Sequence, residues 1–360
     1  MKGCVRMSEI RLLVLFGGVS PEHEVSLRSA ESILSTLNKT RYRVFPVGIT
    51  KEGKWLLYQS QDYSRLPRNT WQELTVPAAF SPVRGEGLLI QTPQGLEREA
   101  IDVILPVLHG ENGEDGSIQG LAQLAGIPCV GCGVAASATC MDKSLTKLVA
   151  DQARIRQAAW ELVTRRDMDA PEAVRTRIEA RFAYPVFVKP AGTGSSVGVT
   201  KVCRPEDLTA ALERALQYDR KALVEEFIHG REIECAVLGN EAPIASICGE
   251  IDSGAEFYDY DAKYLTDSAK LYIPGRISQD AMERVRKAAV QVYLALGCRG
   301  LSRVDFFVTY EEEEVVFNEI NTLPGFTSIS MYPKLMEASG VPYPELLDRL
   351  VDLAMEAQHG

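Results

Sequence analysis

The residues best suited to chemistry lie in the segment 301–321, LSRVDFFVTYEEEEVVFNEIN. Two β-branched and aromatic runs flank the polar Glu311–Glu314 stretch, which predicts a hairpin turning near Glu312. In that register Asp305 stands opposite Glu319, and Arg303 opposite Asn321. Side-chain alternation then places Asp305, Glu319 and Asn321 on one face, with Arg303 beside them. Three oxygen donors within reach of one cation suit Mg²⁺ bound together with phosphate oxygens and water. A solvated polar stripe is the plainer alternative. Against it, the other face reads Val304, Phe306, Val308, Phe317 and Ile320, which is apolar throughout and therefore core.

A second chemical segment is VKPAGTGSSVGVT, residues 188–200. A Walker loop needs its lysine after the glycines, whereas Lys189 precedes them here. A dinucleotide fingerprint needs GxGxxG at a strand-to-helix turn, but this is GxGxxxG between two strands. The segment therefore reads as a flap whose backbone N–H groups can cover phosphates, with a purely structural hairpin as the alternative. GCGVAA (131–136) matches GxGxxA, yet it follows a late strand and no βαβ unit succeeds it. A carboxylate–amide cluster, Lys143, Lys189 and a glycine flap together suit phosphoryl transfer, which needs positioning and charge neutralisation.

The elements that must hold these residues fall into three parts. IRLLVLFGG, YRVFPVGIT, IDVILPVLHG and the short IPCVG read as strands, with helices over 22–37 and 117–126. Alternating strands and helices predict an open parallel sheet with ligand loops at the strand ends. Residues 51–95 read as an irregular excursion or rim hairpin. From about 134 the pattern becomes α+β: a helix from 134, strand AWELVTR, helix 171–181, PVFVKP and GVTKVC around the flap, and helix 205–218. KALVEEFI and REIECAVLG read as antiparallel strands. A third part, from about 230, holds a loop (252–270), a helix (280–296), the hairpin and a helix at 343–357. The expected division is 1–135, 136–229 and 230–360.

With 46% hydrophobic and 24% charged residues among 360, the chain is an ordinary globular sequence. Its net charge of −10 argues against nucleic acid or an anionic membrane as partner, since both need a basic footprint. Leu12–Phe16 is too short for a signal-peptide core, so a cytoplasmic location is expected. Met7 is a candidate start, because the preceding residues fit no pattern. The eight cysteines are scattered, and the single CxxC, Cys129–Cys132, has no second pair; they read as small apolar residues.

Seven blocks, LFGGVSPEHEVSL, LHGENGEDG, MDK, KPAGTGSSVGV, YDYDAKY, SRVDFF and FNEINTLPGFTSISMYP, together resemble the D-alanine–D-alanine ligases of the ATP-grasp superfamily. The resemblance runs from about residue 10 to 357 in the family's order. It implies an ATP-grasp fold preceded by a parallel-sheet domain, ATP and Mg²⁺ (or Mn²⁺ on the same ligands), D-alanine as substrate, and a homodimer. It also implies a two-step reaction. ATP phosphorylates one D-alanine carboxylate, and the amine of the second D-alanine displaces phosphate to give the peptidoglycan dipeptide.

By the same resemblance, Glu24 holds the first substrate's ammonium, with His109 near it. Lys143, Lys189, Ser195, Glu225, Glu226, Ile228, Glu232 and Lys263 form the ATP site, with Glu225 and Glu232 at adenine and ribose and Lys263 at the transferred phosphate. Arg303 stabilises the tetrahedral oxyanion, and Asp305, Glu319 and Asn321 ligate the metal. Gly325 and Ser330 contact the oxyanion and the second carboxylate. Ser195, Tyr264 and Glu24 form a hydrogen-bonded lock that closes two loops. Tyr264 and an uncharged Met331 favour D-alanine as second substrate, with D-serine held as the alternative.

Overall fold

The computed structural model describes residues 9–194, 196–252, 270–327 and 329–357. Three sheets organise them. The first has strands in the order β6-β5-β4-β3-β2-β1-β7. Its centre, β1 (Ile10–Gly17), pairs in parallel with β2 (Tyr42–Ile49) and β7 (Val103–Leu108). The continuous apolar run of β1 is what a strand covered on both faces requires. Leu12, Val14 and Phe16 pack toward Leu27, Ala30 and Ile33 of α1 (His23–Thr36). Leu13 and Leu15 pack toward Ile118 and Ala122 of α2 (Ser117–Ala125).

Residues 51–95 are not an irregular excursion. They contribute β3 (Trp55–Tyr58), β4 (Thr75–Phe80) and β5 (Leu88–Thr92), which with β6 (Gly95–Glu99) extend the sheet antiparallel beyond β2. The expected IPCVG strand shrinks to a single parallel bridge, Ile104 to Cys129.

After α3 (Val134–Met141) and α4 (Lys143–Gln152) comes a four-stranded sheet, β10-β9-β11-β8. It consists of β8 (Trp160–Thr164), β9 (Val186–Pro190), β10 (Thr200–Val202) and β11 (Lys221–Glu226), backed by α5 (Pro171–Glu179) and α6 (Leu208–Tyr218). The third sheet, β14-β13-β12-β15-β16, joins β12 (Gly230–Gly239), β13 (Ile244–Asp252), β14 (Lys270–Tyr272), β15 (Gly300–Thr309) and β16 (Val315–Asn321). Thus β11 and β12, expected as an antiparallel pair, belong to different sheets, with Phe227–His229 crossing between them.

Val304, Phe306, Val308, Phe317 and Ile320 are buried as expected, against α7 (Gln279–Ala295). Two further helices, α8 (Met331–Ala338) and α9 (Tyr343–Glu356), complete the chain; α8 went unseen in the sequence. Cys132, Cys140, Cys235, Cys248 and Cys298 are buried free thiols, as their apolar neighbours suggested.

Candidate active site

Residues from the second and third sheets, from the start of α1 and from the segment after β7 line one cavity of about 1590 Å³. Its floor is the β15–β16 hairpin. Arg303 pairs with Asn321 and Asp305 with Glu319, the register read from the sequence. The ladder then slips, so that Phe306 pairs with Phe317. This bulge leaves Asn318 over, and it too lines the cavity.

The Arg303 guanidinium spans the Asp305 carboxylate, with Nε and Nη2 donating at 2.8 and 2.7 Å. Its Nε also stands 3.1 Å from Glu234 Oε2. Burial works against the Arg303 charge, but Asp305 and Glu234 outweigh it and raise its proton affinity further. A fixed, permanently charged fork is thereby aimed into the cavity. Asn321 Nδ2 donates to Asp305 Oδ2 at 2.9 Å. Two carboxylates and an amide are hard oxygen donors suited to Mg²⁺ that also binds phosphate and water.

The lysines face this floor. Lys143 opens α4, whose first turn is capped by the Asp142 carboxylate accepting from Ser144 and Leu145 N–H groups. Its Nζ donates to the Thr193 carbonyl at 2.6 Å and lies 4.0 Å from Glu319 Oε2. Lys189, on β9, donates to Glu225 Oε2 at 3.0 Å and to Asn318 Oδ1 at 3.3 Å. Burial disfavours its charge, yet Glu225 and Glu319 overcome that and hold the ammonium protonated.

The glycine segment does join two antiparallel strands, β9 and β10. Its base is tied down where Gly192 N–H donates to Asp219 Oδ2 at 2.7 Å. At Gly198 φ is +76°, and a Cβ there would stand 2.7 Å from the Tyr218 ring. Glycine is required at that point by backbone and neighbour alike.

On the opposite wall Glu24 is not where the sequence placed it. Its side chain is 52% exposed and pairs with Lys51 at 2.5 Å, outside the cavity lining. Lys51 also holds its carboxyl below the ordinary value. Glu22 lines the cavity instead. A Cβ built on Gly110 would stand 2.9 Å from Glu22 Oε2, and one on Gly194 of the flap 3.5 Å. The helix start explains the exchange: Glu22 is the non-helical residue just before α1, whereas Glu24 lies in its first turn, so the two carboxylates leave the chain in different directions.

His109 lines the cavity and is buried. Burial lowers its proton affinity, and its Nδ1 sits 3.0 Å from the Leu323 carbonyl. Glu114, which the sequence reading passed over, accepts from Gly110 N–H at 2.7 Å and Leu323 N–H at 3.3 Å. Both side chains therefore grip the Leu323 peptide, just before Gly325. Burial first, then the Glu22 charge, push the Glu114 carboxyl up to about 8. Gly325 and Ser330 both line the cavity, and a Cβ on Gly325 would lie 3.1 Å from Ser330 Oγ. Ser330 is the N-cap of α8, whose positive end faces the cavity residues.

Glu225, Glu226, Ile228 and Glu232 also line the cavity. However, the Glu225 carboxylate is turned to lysines rather than held out for adenine: Lys189 on one oxygen, Lys147 at 3.4 Å from the other. The Glu226 carboxylate accepts from Ala159 N–H at 2.8 Å, back toward β8. Ser195, Lys263 and Tyr264 lie outside the described residues. Sequence reasoning missed Glu22, Glu114, Asn318, Glu234 and Lys147. The first three stand inside blocks already quoted, and Glu234 alternates with Glu232 along β12.

The sequence model described as D-ala D-ala ligase N-terminus matches residues 11–132, and the one described as D-ala D-ala ligase C-terminus matches residues 149–352. The chain is 50% identical to a D-alanine–D-alanine ligase of Acetivibrio thermocellus, over 96% of each protein. It is 48% identical to one of Caldicellulosiruptor bescii, over 97% of this chain and 96% of that one. Among solved structures it resembles the VanG D-Ala:D-Ser ligase from Enterococcus faecalis, with TM-score 0.88, 41% identity, and coverage of 96% of this chain and 100% of the other. The D-alanine–D-alanine ligase from Coxiella burnetii aligns with TM-score 0.86 and 36% identity, over 98% and 96% of the two chains. Floor, lysines, flap and relatives agree: the chain belongs to the D-alanine–D-alanine ligase family.

Proposed function

We propose that the cavity joins two D-alanines at the expense of ATP, through an acyl phosphate. The observation that carries this reading is the 4.0 Å approach of Lys143 Nζ to Glu319 Oε2, which sets a phosphate-binding cation beside a metal-binding carboxylate under a glycine flap.

In the first step a carboxylate oxygen of one D-alanine attacks the γ-phosphorus, and ADP leaves. In the second, the deprotonated amine of the other D-alanine attacks the acyl carbon. The C–O bond to phosphate breaks, and inorganic phosphate departs carrying an oxygen from the first substrate. Mg²⁺ on Asp305, Glu319 and Asn321 would supply charge neutralisation for the phosphates. Lys143 and Lys189 bind and orient the phosphates. Arg303 faces the oxyanion that develops at the attacked carbon, where a preorganised cation acts most strongly. Glu22, in place of Glu24, holds the first ammonium; Gly325 backbone and Ser330 receive the oxyanion and the second carboxylate. The flap then keeps water from an intermediate that would otherwise hydrolyse.

The same proposal takes in the lock of Ser195 and Tyr264 with Glu22, Lys263 at the transferred phosphate, Ile228 and Glu232 in the nucleotide pocket, and three domains divided near 135 and 229. It also takes in a homodimer, which light scattering would check, and a cytoplasmic site of action. Among the described residues no helix is long and apolar enough to cross a membrane. A D-Ala:D-Ser ligase among the similar structures makes D-serine the second reading for the amine substrate. The mechanism is tested with D-alanine labelled with ¹⁸O in its carboxylate. Label found in inorganic phosphate supports the acyl phosphate, and unlabelled phosphate refutes it.

A further inference from the structure

Lys147 lies one turn after Lys143 on α4 and has no part in the scheme so far. Its side chain is 2% exposed, an uncommon place for an ammonium. Among the described residues its Nζ has no well-formed hydrogen bond. Its nearest opposite charge is Glu225 Oε1 at 3.4 Å. Glu225, itself 4% exposed, gives its other oxygen to Lys189 at 3.0 Å. The three groups form a buried lysine–carboxylate–lysine row. Lys189 and Glu225 border the large cavity, whereas Lys147 sits behind them against a side cavity of about 50 Å³ shared with Lys143, Thr146 and Asn318.

The row sets one buried carboxylate between two lysines, and Glu319 and Glu232 act on Lys189 from the cavity side. A one-to-one Lys189–Glu225 pair would be self-satisfied, and pulling its lysine away would strand a buried carboxylate. With Lys147 on the far side, Glu225 keeps a counter-charge when Lys189 moves. We propose that Lys147 is a positioning residue for the nucleotide phosphates: it shares Glu225 from behind and so releases Lys189 to an incoming phosphate. The arriving anion then takes the place of Glu225 as the partner of Lys189. This rests on Lys189 being a phosphate ligand, and the experiment separates the two claims.

Lys147→Met and Lys147→Gln are compared with Lys189→Met and the unaltered enzyme, with folding followed by thermal unfolding. KM is measured separately for ATP and D-alanine, and Kd for ADP and for adenosine. Both Lys147 variants are expected to raise KM for ATP and Kd for ADP about tenfold or more, the scale of removing one partner of a buried charge pair. KM for D-alanine and Kd for adenosine stay within about twofold, because the effect acts on phosphate alone. If Lys189→Met leaves KM for ATP unchanged, the phosphate reading of Lys189 fails and takes this inference with it. If only the Lys147 variants leave it unchanged, this inference alone is overturned. Parallel losses for adenosine or D-alanine, or failure of both variants to fold, make Lys147 a structural residue and also overturn it.

Discussion

Arg303 and Asp305 stand two residues apart on β15 and share one face, where the guanidinium meets the carboxylate in two hydrogen bonds of 2.8 and 2.7 Å. The pair fixes the arginine fork before any substrate arrives. Arg303→Ala is accordingly expected to lower kcat by about 10²-fold or more, the scale of losing an oxyanion donor. Arg303→Lys is expected to recover only a small part, since a point charge cannot reproduce the fork. Steady-state ADP release reads both, and a near-normal rate for either would remove Arg303 from the reaction.

Glu22 and Glu24 give a sharper contrast, because only one of them lines the cavity. Glu22→Gln should raise KM for D-alanine or depress kcat, together costing about tenfold or more in kcat/KM, as loss of a charge-assisted contact would. Glu24→Gln removes only an exposed pair with Lys51, worth at most about 1 kcal/mol of stability, and should leave kinetics within about twofold. The reverse ranking would return the role to Glu24.

The donor set on the hairpin predicts that Glu319→Gln weakens metal use while leaving the fold intact. The half-saturating Mg²⁺ concentration should rise about tenfold, since the glutamine keeps one oxygen but loses its charge. A titration of Mg²⁺ at saturating substrates checks this. An unchanged midpoint would place the metal elsewhere.

Glu114 makes stability depend on pH in a stated direction. Its carboxyl has an ordinary value of 4.5 and is pushed to about 8 in the folded chain, chiefly by burial. A raised folded value means its contribution is complete below about 4.5 and is lost as pH climbs toward 8. Glu114→Gln cannot ionise, so it should lose fewer degrees of Tm than the unaltered protein between pH 5 and pH 9. Equal losses would show that this carboxyl titrates normally.

Much of the site was legible because strand alternation has a strict period of two. Arg303, Asp305, Glu319 and Asn321 share a face for that reason, and their apolar partners Val304 and Ile320 confirm it. Asn318 was not legible, because the bulge that exposes it is a backbone slip with no residue signature of its own. Glu22 was confused with Glu24 because the segment EHE offers two carboxylates, and only the first turn of α1 decides which one faces inward. Apart from the suggestion of a rim hairpin, the strands within 51–99 escaped notice since they are short; the edge strand β6, with the sequence GLERE, carries a single apolar side chain. Lys147 escaped for a different reason: a lysine on a helix reads as solvated until its carboxylate partner, 78 residues away on β11, is seen beside it.

The most direct measurement of the central claim is product analysis of the purified protein given ATP, Mg²⁺ and an equal mixture of D-alanine and D-serine. D-alanyl-D-alanine should form as the main dipeptide, one per ADP released, and both should vanish when D-alanine is omitted. ADP release that does not depend on D-alanine would contradict the ligase assignment, and D-alanyl-D-serine as the main dipeptide would contradict the choice of second substrate.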